Sequence, residues 1–210
     1  MIFKTSICIE IIFRNTRPYE KRNRLFQQTL ITQFIDFIEC DNLIDIGCGT
    51  GYWLDIYNSK CKRITMLDQS KNMLTKRIEK ATSLNIEHKI SFLNSNFFLA
   101  NFDNIKFDSA LSSFFLSHLN NKQLDLFFSK IKNAINKKGL IVILDSSSKD
   151  YNIVKDVSIQ TRTIKNGQEF QIYKRYFHFQ EIIDLLWHFD LEILSFYYGS
   201  SFFAVSCSNN

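Results

Sequence analysis

A chain of 210 residues with 45% hydrophobic content holds enough apolar material for one ordinary domain, which excludes a disordered or low-complexity protein. The formal net charge is +5, and Arg14, Arg17, Lys21, Arg22 and Arg24 gather near the start. They read as a solvated helix face rather than a nucleic-acid patch, since no RNA-binding module is recognisable.

Five cysteines, Cys8, Cys40, Cys48, Cys61 and Cys207, are odd in number and scattered. None stands in C-x-x-C or zinc-type spacing, so the sequence predicts no disulfide framework and no metal site, which suits a reducing compartment. The apolar start, Met1 to Phe13, carries Lys4 and Glu10 and has no small-residue cleavage site, so no secretory signal is expected. No run approaches the roughly 20 apolar residues that span a bilayer. From Tyr19 to Glu39, Phe26, Leu30, Phe34 and Ile38 recur every fourth residue with Ile31 and Ile35 beside them. That stripe predicts an amphipathic helix, with Thr16 placed to cap it and Pro18 suited to its first turn.

Leu43-Ile44-Asp45-Ile46 then reads as a buried parallel strand, and Gly47, Gly49 and Gly51 follow at every second position. Three of the six glycines of the chain lie in this one turn, where unusual backbone angles and the absence of side chains have a use. Tyr52 to Tyr57 can open a helix, and a strand, a glycine turn and a helix N-terminus form a common nucleotide-binding unit. A dinucleotide fingerprint, G-x-G-x-x-G, needs its third glycine at position 52, which is Tyr52. The pattern D-x-G-x-G-x-G stands here instead, and it resembles motif I of the class I S-adenosylmethionine (SAM) dependent methyltransferases. The resemblance implies that Asp45 sits near the methionine amino group and that Gly47, Gly49 and Gly51 let the backbone approach the cofactor.

Arg63 to Asp68 reads as the second strand, ending in an acid that can accept from both hydroxyls of a ribose. Ser70 is placed to cap a helix through Met73, Leu74, Ile78 and Ala81. The string Leu67-Asp68-Gln69-Ser70-Lys71-Asn72-Met73-Leu74 is similar to the family's D-x-S-x-x-M-L, which implies cofactor contacts at Asp68 and Gln69. Lys89 to Leu93 reads as the third strand. Asn96 stands where the family usually has an Asp that accepts from the adenine amino group; its carbonyl can accept that bond without the charge, or it is a loop Asn. Phe97 lies against the adenine or in the core.

Phe107 to Ser113 reads as the fourth strand, and the following Phe114-Phe115-Leu116-Ser117-His118-Leu119 extends the resemblance, with Ser113 at the cofactor edge. His118 follows a strand end that faces the cofactor, so it is either the base that takes a substrate proton or a loop anchor. Asn120 or Asn121 caps a helix with Leu124, Phe127, Phe128, Ile131 and Ile135, which Gly139 ends. Leu140 to Leu144 is the fifth strand. Around Asn166-Gly167, a two-residue hairpin signal, Thr161, Thr163 and Lys165 alternate with Arg162 and Ile164, and Phe170, Ile172 and Lys174 with Gln171 and Tyr173. Phe179 to Phe189 reads as a helix, and Leu191 to Tyr197 and Ser201 to Ser206 as an antiparallel pair turning at Gly199.

This order predicts an α/β, Rossmann-like three-layer sandwich: a mostly parallel seven-stranded sheet with one antiparallel strand, plus an inserted β-hairpin at 160–177. The whole of 1–210 reads as a single methyltransferase domain with a helical cap at 1–40, where Tyr19 is a pocket candidate. The resemblance implies methyl transfer from SAM to an O, N or C atom of a small-molecule acceptor in the cytoplasm. The alternatives are a SAM- or adenosine-binding protein without catalysis and, with less support, an RNA or protein methyltransferase. Against the last, no N-P-P-Y-like tetrapeptide follows the fourth strand; Ser112-Ser113-Phe114-Phe115 stands there. Arg162, Lys165, Lys174 and Arg175 of the hairpin would suit an acidic or phenolate-bearing acceptor.

Overall fold

The computed structural model describes residues 29, 32–35, 38, 40–102, 105–148, 157–163 and 167–210. Of the expected N-terminal helix, residues 32–35 are helical, and Phe34, Ile35 and Ile38 are buried. Tyr19, the basic residues from Arg14 to Arg24 and Cys8 lie outside the described residues. The chain then runs β1 (Cys40–Ile46), α1 (Leu54–Tyr57), β2 (Cys61–Leu67), α2 (Lys71–Ser83), β3 (Ile90–Leu93), β4 (Phe107–Ser113), α3 (Asn121–Ala134) and β5 (Ile135–Asp145). It continues through β6 (Val157–Thr163), β7 (Glu169–Arg175), α4 (Phe179–His188), β8 (Leu191–Tyr198) and β9 (Phe203–Asn209).

The main sheet has the order β3-β2-β1-β4-β5-β9-β8, parallel except for β9, which is antiparallel to both neighbours. That is the seven-stranded, Rossmann-like sheet expected from the alternation of short apolar runs with helical periods. β6 and β7 pair separately as the inserted hairpin. Side-chain alternation along β1 builds both faces of the core. Ile44 and Ile46 enter a cluster with Phe127, Phe128 and Ile131 of α3 and Ile182 and Leu186 of α4. Leu43 enters the opposite cluster with Trp53, Tyr57, Ala81 and Ile35. No helix among the described residues is long and apolar enough to cross a membrane.

Several element ends are decided or shifted by local bonds. Asn120 is the α3 cap: its side chain accepts from the Gln123 N–H while the Gln123 side chain accepts from the Asn120 N–H, a reciprocal capping box. Ser70 occupies the α2 cap position without a side-chain cap bond; the Asp68 carboxylate takes the Ser70 N–H instead. β6 starts at Val157, and the hairpin ladder closes on Thr163 and Glu169; Asn166 of the expected turn lies outside the described residues. β9 begins at Phe203 because Gly199 donates its N–H to the Phe202 carbonyl, which draws Ser201 and Phe202 into the turn.

Gly139 does not end α3. The helix stops at Ala134 and the chain passes straight into β5, with Lys138 in the left-handed region at φ 62°. Gly139 then runs against β4 so closely that an added Cβ would lie 2.8 Å from the backbone oxygens of Asn136 and Asp108. Neither backbone oxygen can yield cheaply. Gly139→Ala is expected to lower the unfolding free energy by roughly 1–3 kcal/mol in urea titration; an unchanged midpoint would show that β5 can shift to admit a methyl group.

Candidate functional site

Ligands of open parallel sheets bind beyond the carboxyl ends of the strands, and the predicted residues gather there. Gly47, Gly49 and Gly51 all have left-handed backbones, with φ of 67°, 54° and 72°. A side chain would be strained at each. The Gly47 and Cys48 N–H groups both donate to the Leu67 carbonyl at the end of β2, at 2.8 and 3.2 Å. At Gly47 an added Cβ would meet the Phe115 ring at 2.8 Å, and at Gly51 the Met66 side chain at 2.9 Å. At Gly49 it would meet nothing within 4 Å, so the turn backs onto open space at this one position.

Asp45 lies beneath that turn. β1 alternation points it to the α1 side, where it is 1% exposed and accepts from the Tyr57 hydroxyl at 2.5 Å. Its Oδ1 has no partner among the described residues. Burial is the main cause that pushes its carboxyl up, to about 7; the Tyr57 bond pulls it down, Asp68 pushes it up, and the Arg77 guanidinium pulls it down. Arg77 comes from α2 and is wholly buried, with Nη1 donating to the Cys48 sulfur at 3.1 Å. Sequence reading did not single it out, because an Arg on an otherwise polar helix looks like a surface residue.

Asp68, at the end of β2, holds the turn from the other side. One carboxylate oxygen accepts from the Gly49 N–H and the other from the Ser70 N–H, both at 2.8 Å. Asn96 donates from its amide to Gln69 Oε1 at 3.0 Å, and its carbonyl accepts from the Phe98 N–H at 2.9 Å. Gln69 and Asn96 are therefore one linked pair beside Asp68. Phe97 leaves this group: it is 2% exposed and packs among Phe98, Phe102, Phe115 and Phe127, which settles it as core.

The turn after β4 forms the other half of the edge. Ser113 is half-buried, and Phe114 after it is 42% exposed in the left-handed region at φ 52°. A bulky residue there is strained, and such outliers gather at functional sites; no sequence pattern announces it. His118 is exposed and its Nδ1–H donates to the Tyr173 carbonyl at 2.9 Å, tying this turn to the hairpin. A buried polar cluster makes a second tie. Lys174 donates to the hydroxyls of Ser117 at 2.6 Å and Ser146 at 2.9 Å, while the Asp145 carboxylate accepts from the backbone N–H groups of the same two serines. Burial raises the Asp145 carboxyl above the usual range, and the serines and Lys174 pull it back. Arg175 is held by Asn121 and Glu181. Lys174 and Arg175 thus dock the hairpin, which removes them from the cations expected to favour an acidic acceptor; Lys165 and the Arg162 side chain lie outside the described residues.

The glycine turn, Asp68, the Gln69–Asn96 pair and the turn after β4 together make the candidate site at the carboxyl edge of the sheet. Residues 43–139 match the family model described as a methyltransferase domain. No curated protein matches the sequence. Among solved structures, a DhpI–SAH complex is similar at 17% identity and TM-score 0.69, over 91% of this chain and 89% of that one. A SAM-dependent methyltransferase from Clostridium acetobutylicum aligns at 16% identity and TM-score 0.65, over 87% and 88%. The glycopeptide N-methyltransferase MtfA complexed with sinefungin aligns at 8% identity and TM-score 0.67, over 88% and 93%. These likenesses speak for the fold; the family match adds the class. Residues 43–139 are thus similar to a methyltransferase domain, and the chain has the fold of SAM-dependent methyltransferases of known structure.

The buried acid makes a pH prediction. The folded state holds the Asp45 proton more tightly than the unfolded state, because burial raises the group from 3.8 to about 7. Stability is therefore full below the unfolded value and falls as pH rises toward the folded one. Asp45→Asn keeps an acceptor for the Tyr57 hydroxyl and removes the titration. Relative to the wild type it is expected to gain roughly 2–4 kcal/mol between pH of about 4 and about 7 in urea unfolding. A difference that stays constant with pH would show that Asp45 does not titrate in this window.

Proposed function

We propose that this protein transfers the methyl group of SAM to an O, N or C atom of a small-molecule acceptor, and that the candidate residues share the work as follows. The observation that supports it best is the open space over Gly49 beside a carboxylate already fixed by two backbone bonds. A carboxylate has about four acceptor sites, so Asp68 keeps two for the paired hydroxyls of a ribose. Gln69 and Asn96, already linked, sit beside it for the adenine, and the Asn96 carbonyl has a second lone pair to accept an amino proton. Asp45 Oδ1, buried and without a described partner, is an acceptor suited to a cationic amino group near the turn. These features fit SAM, which when bound supplies a methyl group on a positively charged sulfur.

The chain's own part is to orient the two reactants and exclude water between them. The hairpin, tied to the β4 turn through His118 and Lys174, covers the acceptor side. Phe114 presents an exposed ring at the same edge and Ser113 lies beside it. His118 has its Nδ1–H committed to Tyr173, so a neutral ring carries its lone pair on Nε2, the atom that can accept a proton from an acceptor hydroxyl.

Calorimetry with SAM tests the cofactor half. Gly49→Val fills the open space and is expected to abolish binding. Asp68→Ala is expected to weaken it about ten- to a hundred-fold, since a bond to a charged group is worth roughly 1.5–3 kcal/mol, and Asn96→Ala less. Equal binding by wild type and Gly49→Val would sink the reading, and a larger loss at Asn96 than at Asp68 would reverse the assignment of the two. The acceptor is identified by incubating an extract with SAM and searching for singly methylated products. With that acceptor, His118→Asn retains a donor for Tyr173 and lacks the base. Turnover is expected to fall about a hundred-fold at unchanged SAM affinity; full turnover would leave His118 as an anchor alone.

A further inference from the structure

The amino ends of β1 and β2, opposite the cofactor edge, bring together two residues that the sequence leaves 21 positions apart. Cys40 and Cys61 are direct partners in the parallel register, and their sulfur atoms are 3.3 Å apart. Neighbouring strands run about 4.8 Å apart, inside the Cα separation that a disulfide spans. Both thiols are free. Cys40 is half-buried, and Cys61 behind it is 4% exposed. The two sulfurs are not equivalent. The hydrogen bond between the two thiols is the main cause holding Cys40 below the usual thiol range against its burial. The same bond, with burial, raises Cys61. The facing carboxylates of Asp108 and Asp41 oppose ionisation of Cys40, and Lys89 favours that of Cys61. The other described cysteines have different neighbours: Cys48 lies against Arg77, and Cys207 against the Ile141 carbonyl.

We propose that Cys40 and Cys61 form a redox site, a vicinal dithiol across β1 and β2 that a small-molecule disulfide converts reversibly to an intramolecular disulfide. The Cys40 thiolate attacks one sulfur of the small disulfide, forming a mixed disulfide and releasing one thiolate. Cys61 then loses its proton to water, attacks the Cys40 sulfur and releases the second thiolate. Two protein thiols are oxidised to one disulfide, and one small disulfide is reduced to two thiols. Cys40 is the accessible nucleophile and Cys61 the resolving thiol, in keeping with their exposure. Disulfides of this kind in a reducing compartment are transient and sensing rather than structural.

The full chain, incubated with oxidised glutathione, alkylated and digested without reduction, tests this. The expected product is a Cys40–Cys61 linked peptide in a protein lighter by two hydrogens, reversed by excess dithiol, with Cys48 and Cys207 alkylated only after unfolding. Cys61→Ser is expected to stop at a mixed disulfide on Cys40. Cys40→Ser is expected to slow modification of Cys61 by about tenfold or more, because the resolving thiol is buried. Separate alkylation of Cys40 and Cys61 after oxidation would overturn the proposal, and so would a wild-type mixed disulfide that never resolves. Both variants keep a hydroxyl in the same volume, and near-native circular dichroism confirms that each result is read on folded protein.

Discussion

The arrangement of the cofactor edge depends on one set of bonds, those that stitch the turn after β1 to the end of β2. Gly47 and Cys48 bond the Leu67 carbonyl and Gly49 bonds the Asp68 carboxylate, so the ladder between the two strands continues past the strand ends. Only a left-handed backbone at alternate positions lets three successive amides turn toward the neighbouring strand. An ordinary residue would oppose that geometry by roughly 1–2 kcal/mol at each position. The same Asp68 opens α2 by taking the Ser70 N–H. One side chain therefore fixes the turn, the strand end and the next helix, and it needs no ligand to hold it in place.

Beneath each half of the edge lies a buried acid, and the two are stabilised differently. Asp45 has the Tyr57 hydroxyl and a nearby Arg77, with one oxygen lacking a partner among the described residues. Asp145 receives two backbone N–H bonds and faces Lys174 across two serines. A buried charge costs several kcal/mol unless it is bonded on all sides. The better-satisfied cluster lies under the turn that carries Phe114 and His118, and the less-satisfied acid lies under the glycines. The acceptor under the glycines is thus placed where a cationic group could pair with it.

Much of this was legible in the chain. The apolar runs at 43–46 and 140–144, the four-residue stripe through Leu124, Phe128 and Ile131, and the glycine spacing are local patterns, and each appears where its period predicts. Asp68, Gln69 and Asn96 share an edge because strand ends in a parallel sheet must share one. What the sequence did not reveal was contact between distant residues. Lys174 and Arg175 looked like cations for an acceptor until their partners, Ser117, Ser146, Asn121 and Glu181, took them up. Gly139 looked like a helix stop, but its small size answers to backbone on β4. Five scattered cysteines gave no hint that Cys40 and Cys61 are neighbours, since register between strands is set by the whole sheet. Phe97, with two readings open, was decided by the aromatic cluster around it.

The described joints of β6 and β7 to the rest of the fold are made through side chains, with backbone bonds to Ser146 and Ser148 at Phe177 just past β7, whereas every strand of the main sheet is held by a ladder to a neighbour on one or both sides. Between β7 and the β4 turn, the Lys174 cluster and the Tyr173 carbonyl make joints. Such units open at free energies of their own, below that of global unfolding. Amide hydrogens along β6 and β7 should therefore exchange with solvent as a block, at rates set by release of the Lys174 ammonium, while those of β1, β4 and β5 exchange only when the whole domain opens. The hairpin can in this way open and close many times within the lifetime of one folded sheet.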